Sequence, residues 1–448
     1  MARWSGGLRC LLLLTAIAFI YTQVRLFKAQ SEYAEKITAA VEGENHCTSQ
    51  MRLLIDQISM QKERVVSLEE IVKRQQEERE QLRTLVQNLE RKGVKNLFQQ
   101  NQVPVAAVVI MACNRADYLE RTIKSILKYH ASASSKFPIF VSQDGSNPDV
   151  RTKAMSYKQL TYMQHLDYEP VHTERPGELI AYYKIARHYK WALDQLFYKH
   201  RFNRVIILED DMEISPDFFA YFEAGADLLD KDKSIMAISS WNDNGQKQFV
   251  HDPYTLYRSD FFPGLGWMLS KSTWDELSPK WPKAYPFMLI FIFLRLQENH
   301  KGRQFIRPEV CRTYNFGEHG SSLGQFFHQY LKPIRLNDRP IDWKSMNLTY
   351  LMEDKFVKHF GDLVKGASPV FGTDLILKIN NVKGDARIAY RDQEHFEEIA
   401  RQFGIFEEWK DGVPRTAYKG VVVFRYKATT RRIFLVGPDS LEQLGIQN

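Results

Sequence analysis

The sequence predicts an α/β protein. A mostly parallel sheet flanked by helices is followed by a smaller α+β part and preceded by an anchor and a stem. Three observations carry this reading. Val205-Ile-Ile-Leu208 runs straight into Glu209-Asp210-Asp211. A short apolar run of this kind reads as a buried strand, and unpaired acids are too costly to bury inside one. The acids therefore mark the strand's C-terminal tip, where an open α/β sheet places its ligands. Next, Val105–Met111, the helically spaced Tyr118–Tyr129 and Phe137–Gly145 give strand, helix, strand. That order makes a parallel pair with a right-handed crossover. Finally, further apolar runs also end in polar tips: Phe137–Val141 leads to Asp144, and Ile235–Trp241 leads to Asn242-Asp243-Asn244-Gly245. Polar tips gathered along one sheet edge form a ligand cleft.

The chain ahead of this sheet has its own pattern. Arg3 and Arg9 precede the apolar run Cys10–Tyr21, which stretches through Thr22, Gln23 and Val24. Its length of about 16 residues is at the short end for a membrane span. A cleaved signal peptide would use Ala16-Ile-Ala18, but bulky Phe19 and Ile20 follow, and a core helix sits poorly beside a basic terminus. We read residues 1–9 as a tail and 10–26 as a signal-anchor helix. Residues 27–103 form a stem. Within it, residues 51–89 carry a heptad seam, Met51, Leu54, Ile58, Gln61, Val65, Leu68, Val72, Gln75, Arg79, Leu82, Val86 and Leu89, apolar except at the two glutamines and the arginine. This is the pattern of a coiled coil and of self-association; a single long solvated helix is the competing reading. Gly93 is the expected end of the helix.

Composition narrows the function classes. The chain has 448 residues, 44% hydrophobic and 26% charged, as in ordinary globular proteins. A net charge of +7 without a long Lys/Arg run does not favour nucleic-acid binding. Cys10, Cys47, Cys113 and Cys311 are scattered without metal or disulfide spacing.

Within the globular part, hard carboxylate oxygens at Glu209, Asp210 and Asp211 suit Mg²⁺ or Mn²⁺ bridging to a substrate diphosphate. A solvated acidic turn is the plainer alternative. No glycine-rich phosphate loop of the GxxxxGK[ST] or GxGxxG type follows the first strand, so metal and basic side chains must hold the phosphates. Arg115 and Asp144, at the first two strand tips, are placed to hold a nucleotide. His188 lies on a predicted helix, about Leu179–Phe197, where a core histidine is the ordinary case.

The motifs then become specific. Tyr183–Leu193, Glu209-Asp210-Asp211 with Pro216–Phe219, Ser240–Gly245, Asp260–Trp267, Pro279–Ala284, Arg307-Pro-Glu309, Phe316-Gly317, Gly324–Phe327 and Gly412–Arg415 together resemble the α-1,3-mannosyl-glycoprotein 2-β-N-acetylglucosaminyltransferase (N-acetylglucosaminyltransferase I) family, from about residue 104 to the end. The resemblance implies a type II Golgi membrane enzyme. Its GT-A-type nucleotide-sugar catalytic domain would span 104–345 and its smaller domain 346–448. It implies inverting, Mn²⁺-dependent transfer of N-acetylglucosamine from UDP-N-acetylglucosamine, in β1,2 linkage, to the α-1,3 mannose arm of Man5 N-glycans, which initiates hybrid and complex glycans. By the same match Arg115, Asp144, His188, Asp210 and Ser322 contact the donor. Asp211 ligates Mn²⁺, with Glu209 in support.

One segment departs from the family. An inverting transfer needs a base for the acceptor hydroxyl, and the family's base is the first Asp of Trp-Asp-Asp-Trp. Here Trp281-Pro-Lys-Ala-Tyr285 is followed by Pro286-Phe-Met-Leu-Ile-Phe-Ile-Phe293, and the match resumes at Leu294. Both acids are gone, and Asp275, Glu276 and Glu298 are out of register. An alternative exon boundary, a retained intron piece or a gene-model error would each give this pattern. Slow transfer is the expectation, as is a binding form of the same fold without turnover. Beyond residue 350, Asp374–Ile379, Ala386–Tyr390, Val421–Tyr426 and Arg432–Val436 read as strands and Glu394–Phe403 as a helix. Asn347-Leu-Thr349 is a glycosylation sequon suited to a lumenal loop.

Overall fold

The computed structural model describes residues 6–97, 103–171, 180–282, 294, 296–319, 327–379, 384–427 and 429–446. The chain divides into two units, Met1–Asn101 and Gln102–Asn448.

The first unit is one helix, α1 (Gly6–Leu97). It runs through Gly93, where the sequence predicted its end; one helical glycine costs only about 1 kcal/mol. The described side chains of the expected anchor, among them Leu14, Ile17, Phe19 and Ile20, are exposed. Among the described residues no helix is long and apolar enough to cross a membrane. The side chains of Cys10 and Leu12, inside the expected span, lie outside that description. Met51, Leu54, Ile58, Val65, Leu68 and Val72 of the seam are likewise exposed.

The second unit is built on an eight-stranded sheet in the order β3-β2-β1-β4-β8-β6-β9-β7. Its strands are β1 (Ala107–Ala112), β2 (Ile139–Asp144), β3 (Leu160–His165), β4 (Arg204–Glu209), β6 (Ile235–Ser239), β7 (Leu256–Ser259), β8 (Trp267–Ser270) and β9 (Gln304–Pro308). Strands β1–β4 form a parallel block, and β6 pairs parallel with β9. Antiparallel β8 joins the two blocks and β7 closes one edge. Alternating side chains sort onto two faces, as pleating requires. Val108, Ile110, Ile206 and Leu208 pack with α2 (Ala116–His130) and α5 (Phe218–Lys231) in one core. Val109, Val205 and Ile207 pack with α4 (Ile180–Asp194) in the other. The short α3 (Pro148–Met155) links β2 to β3. A two-stranded ladder of β5 (Met212–Ile214) and β10 (Thr313–Asn315) sits just past the tip of β4.

A four-stranded sheet, β11 (Ser368–Pro369), β12 (Ala386–Ala389), β14 (Arg432–Val436) and β13 (Val421–Arg425), follows in that spatial order. Val421, Val423, Phe434 and Val436 join the large core. The opposite face packs on the predicted helix, which spans Gln393–Phe403. One expected strand is corrected: Leu375–Ile379 is a single wide helical turn. Its apolar run is too short for periodicity to separate strand from helix. Among the described side chains, Cys113 and Cys311 are free thiols.

Candidate active site

The cleft is assembled at the C-terminal edge of the parallel block. The three carboxylates sit at the end of β4, where the chain turns into β5. Thr122 on α2 clamps that turn: its Oγ donates to the Asp210 carbonyl at 2.8 Å and accepts from the Met212 N–H at 3.0 Å. Arg115, at the start of α2, bonds both Asp210 and Asp211, the latter at 2.9 Å. Its second amino group donates to the His319 carbonyl at 2.8 Å, and its guanidinium lies 4.7 Å over the Tyr118 ring. Asp211 also accepts from Asn315 at 3.0 Å. The approach on the other side is tight. A Cβ on Gly317 would lie 2.1 Å from an Asp211 carboxylate oxygen, so only glycine leaves that room. Glu209 accepts from the Tyr189 hydroxyl at 3.0 Å.

This electrostatic arrangement is unbalanced, with three acids sharing one guanidinium. Burial, then the neighbouring Asp211 charge, pushes the Glu209 carboxyl upward. Burial pushes Asp210 up to about 6 despite the pull of Arg115. It raises Asp211 as well. Such a site gains from a bound cation, which supplies the missing positive charge. Among the described residues no group of three or more His, Cys, Asp or Glu side chains is placed to hold a metal ion by itself. That is ordinary for a hard cation completed by water and substrate phosphate.

A second cluster joins Asp144, at the tip of β2, with His165, at the tip of β3, and His188 of α4. His188, on α4, sits 2.8 Å from the Ser142 hydroxyl. Burial lowers its pKa to about 4, so it is neutral at physiological pH. Asp144 bonds His165 of β3 at 2.8 Å. No sequence signal singled out His165, because β3 is an edge strand without an apolar run. A cleft of about 730 Å³ opens beside Arg115, reaching Asp149 and Lys153 on α3 and His319.

The structure thus brings Arg115 together with Asp210 and Asp211, and Asp144 next to the His165–His188 pair. Ser322 lies outside the described residues, as does the Pro286–Phe293 block. The flanks of that block are anchored. The Trp281 indole donates to the Ala186 carbonyl on α4 at 3.0 Å, and Leu294 is buried in the same core. Two of the three nearby acids are engaged elsewhere, Asp275 with Lys271 and Glu276 with Lys301 and Arg303, and Glu298 is exposed.

An acid-tipped cleft on an α/β sheet narrows the class, and comparison with known proteins completes it: the chain is a glycosyltransferase enzyme. The GNT-I family model matches residues 13–448. An Arabidopsis thaliana protein, alpha-1,3-mannosyl-glycoprotein 2-beta-N-acetylglucosaminyltransferase, is 69% identical over 448 residues, covering 100% of both chains. The chain belongs to the GNT-I family. Among solved structures, mannosyltransferase PcManGT from Pyrobaculum calidifontis, in complex with GDP-Man and Mn²⁺, matches with TM-score 0.26 and 16% identity, over 41% of this chain and 48% of that one. S. aureus TarS 1-349 matches with TM-score 0.31 and 13% identity, over 48% and 61%.

Proposed function

We propose that the chain transfers N-acetylglucosamine from UDP-N-acetylglucosamine to the α-1,3 mannose arm of Man5 N-glycans, inverting to a β1,2 linkage, and that it does so slowly. The observation that carries the donor half is the unbalanced acid cluster beside Arg115. Identity of 69% over the full length to a relative bearing that activity's name supports the substrate pair. Asp211 would hold Mn²⁺, with Glu209 behind it, since hard carboxylate oxygens and a deficit of positive charge suit that ion. When bound, the ion neutralises charge on the departing diphosphate. Arg115 contributes a fixed positive charge at the same tip. Asp144 and His188 hold the nucleoside, and Ser322 adds a donor contact by its match to the family motif.

The slow step is proton removal from the acceptor hydroxyl. A positioned base contributes roughly 10²–10⁴-fold, and the family's base position is occupied by Pro286–Phe293. The missing acid equally favours a second reading, a nucleotide-sugar-binding form without turnover. Purified chain with Mn²⁺, UDP-N-acetylglucosamine and a Man5 glycan separates the two. Product selects the enzyme; UDP-dependent thermal stabilisation without product selects the binding form. Exchanging Pro286–Phe293 for Trp-Asp-Asp-Trp is expected to raise transfer by about 10²-fold or more. Equal rates before and after the exchange would defeat the proposal of slow transfer.

The same reading places the chain in the Golgi membrane as a single-pass type II protein. Its support is Arg3 and Arg9 ahead of the apolar run, and an exposed Asn347 sequon on the globular unit. The exposed heptad seam of α1 supports self-association through the stem.

A further inference from the structure

His165 connects the two residues read as nucleoside contacts. It ends β3 and stands opposite Asp144 in the β2–β3 register. Its Nδ1 lies 2.8 Å from Asp144 Oδ1. A carboxylate only accepts, so Nδ1 carries the shared hydrogen. The imidazole also stacks on His188, with centroids 5.5 Å apart and planes 13° from parallel. Trp191 packs against the same ring at 5.2 Å. The strand ends themselves are tied: the Gly145 N–H donates to the His165 carbonyl at 2.9 Å, and the Gln164 amide donates to the Gly145 carbonyl at 3.0 Å. One imidazole on a braced strand end therefore holds the Asp144 carboxylate and, together with the Ser142 hydroxyl, fixes the ring plane of His188.

We propose that His165 is a positioning residue for the nucleoside half of the donor. By holding Oδ1, it leaves the other Asp144 oxygen to accept from a nucleoside N–H or O–H. By stacking, it presents the neutral His188 ring in a fixed plane. A group held this way loses little freedom when the ligand arrives, which strengthens binding without a direct contact. The inference rests on the donor-site reading of Asp144 and His188.

Two variants separate the hydrogen bond from the ring. His165→Phe keeps an aromatic face against His188 and Trp191 but removes the donor. His165→Asn restores a donor near the Nδ1 position. Binding of UDP, UMP and inorganic pyrophosphate to the full chain with Mn²⁺ is measured by calorimetry, alongside melting of the ligand-free proteins. His165→Phe is expected to weaken UMP and UDP alike, by about tenfold, as for loss of one hydrogen bond to a charged group. Pyrophosphate binding should stay within about twofold, and His165→Asn should recover most of the UMP loss. Three results overturn the proposal: UMP binding unchanged in His165→Phe, pyrophosphate weakened as much as UMP, or both variants losing their melting transition. A wild-type chain that binds no UDP fails at an earlier point. It removes the donor-site reading, and this inference with it.

Discussion

Two regions of the globular unit bury carboxylates, and they treat them differently. At the tip of β4, Arg115 is the one cation paired with the Glu209-Asp210-Asp211 cluster among the described residues, bonding Asp210 and Asp211. Deeper in the fold, Glu309, Asp217 and Asp232 each have their own arginine and several neutral donors. Glu309 accepts from Arg425 at 3.0 Å, from the N–H groups of His251 and Asp252 at 2.8 Å each, and from the Tyr257 hydroxyl at 3.1 Å. Asp217 takes Arg312 at 3.1 Å, with Asn337 and Trp343 at 2.8 Å each. Asp232 takes Arg258 and the Glu353 N–H, both at 3.0 Å. At Asp232, burial pushes the pKa up, yet hydrogen bonds from Ser234 and Glu353 leave it below the usual range. Asp210 is left above it. The matched charge at Glu309, Asp217 and Asp232 reads as architecture, and the crowded charge at the β4 tip, beside an open cleft, reads as a candidate ligand site.

The largest effect should come from unbalancing the architecture. Glu309→Ala leaves the Arg425 guanidinium buried without its partner. Breaking such a pair costs about 3–5 kcal/mol. Denaturant unfolding should show that loss, and the double change Glu309→Met with Arg425→Met should recover most of it. A loss under about 1 kcal/mol in the single variant would break the comparison, because it would make the pair no more than a surface salt bridge.

Next in size is a neutral group buried at the site. His188 has an ordinary pKa near 6.5 when unfolded and about 4 when folded. The unfolded chain therefore binds the proton first. Stability from this group is complete above pH 6.5 and declines as pH falls toward 4, by about 3 kcal/mol in all. Above pH 7 it has no slope. His188→Gln should flatten that part of the acid limb relative to wild type. Parallel pH–stability curves for the two proteins would show that His188 is not held neutral.

Both kinds of region were unequally legible in the chain. β1, β2, β4 and β6 declared themselves as apolar runs because both their faces are buried. The acid tip was legible for the same reason, as charge following such a run cannot continue inside. β3 was not: Leu160-Thr-Tyr-Met-Gln-His165 is half-exposed at a sheet edge, so its burial pattern is weak and His165 went unseen. Four-residue β7 and β8, antiparallel at the edge and the junction, are too short to show a period. The arginine partners were invisible as partners, since 116 positions separate Glu309 from Arg425. Sequence shows where charge sits; only the fold shows which charges are matched.

The smallest stability effect should have the opposite sign, and it tests the comparison most directly. Asp211→Asn removes one of three crowded negative charges and keeps the shape. Arg115 retains Asp210, and the Asn315 amide still finds an oxygen. Burial already raises the Asp211 carboxyl, so removing its charge should leave the ligand-free protein unchanged or more stable by up to about 1 kcal/mol. Binding should respond in the other direction. Saturating Mn²⁺ and UDP add roughly 2.7 kcal/mol at a hundred times Kd, and Asp211→Asn should lose most of that gain. Melting curves with and without Mn²⁺ and UDP measure both effects in one experiment. If Asp211→Asn costs the ligand-free protein as much as Glu309→Ala, then the β4 tip is architecture too, and the charge imbalance there does not report a ligand.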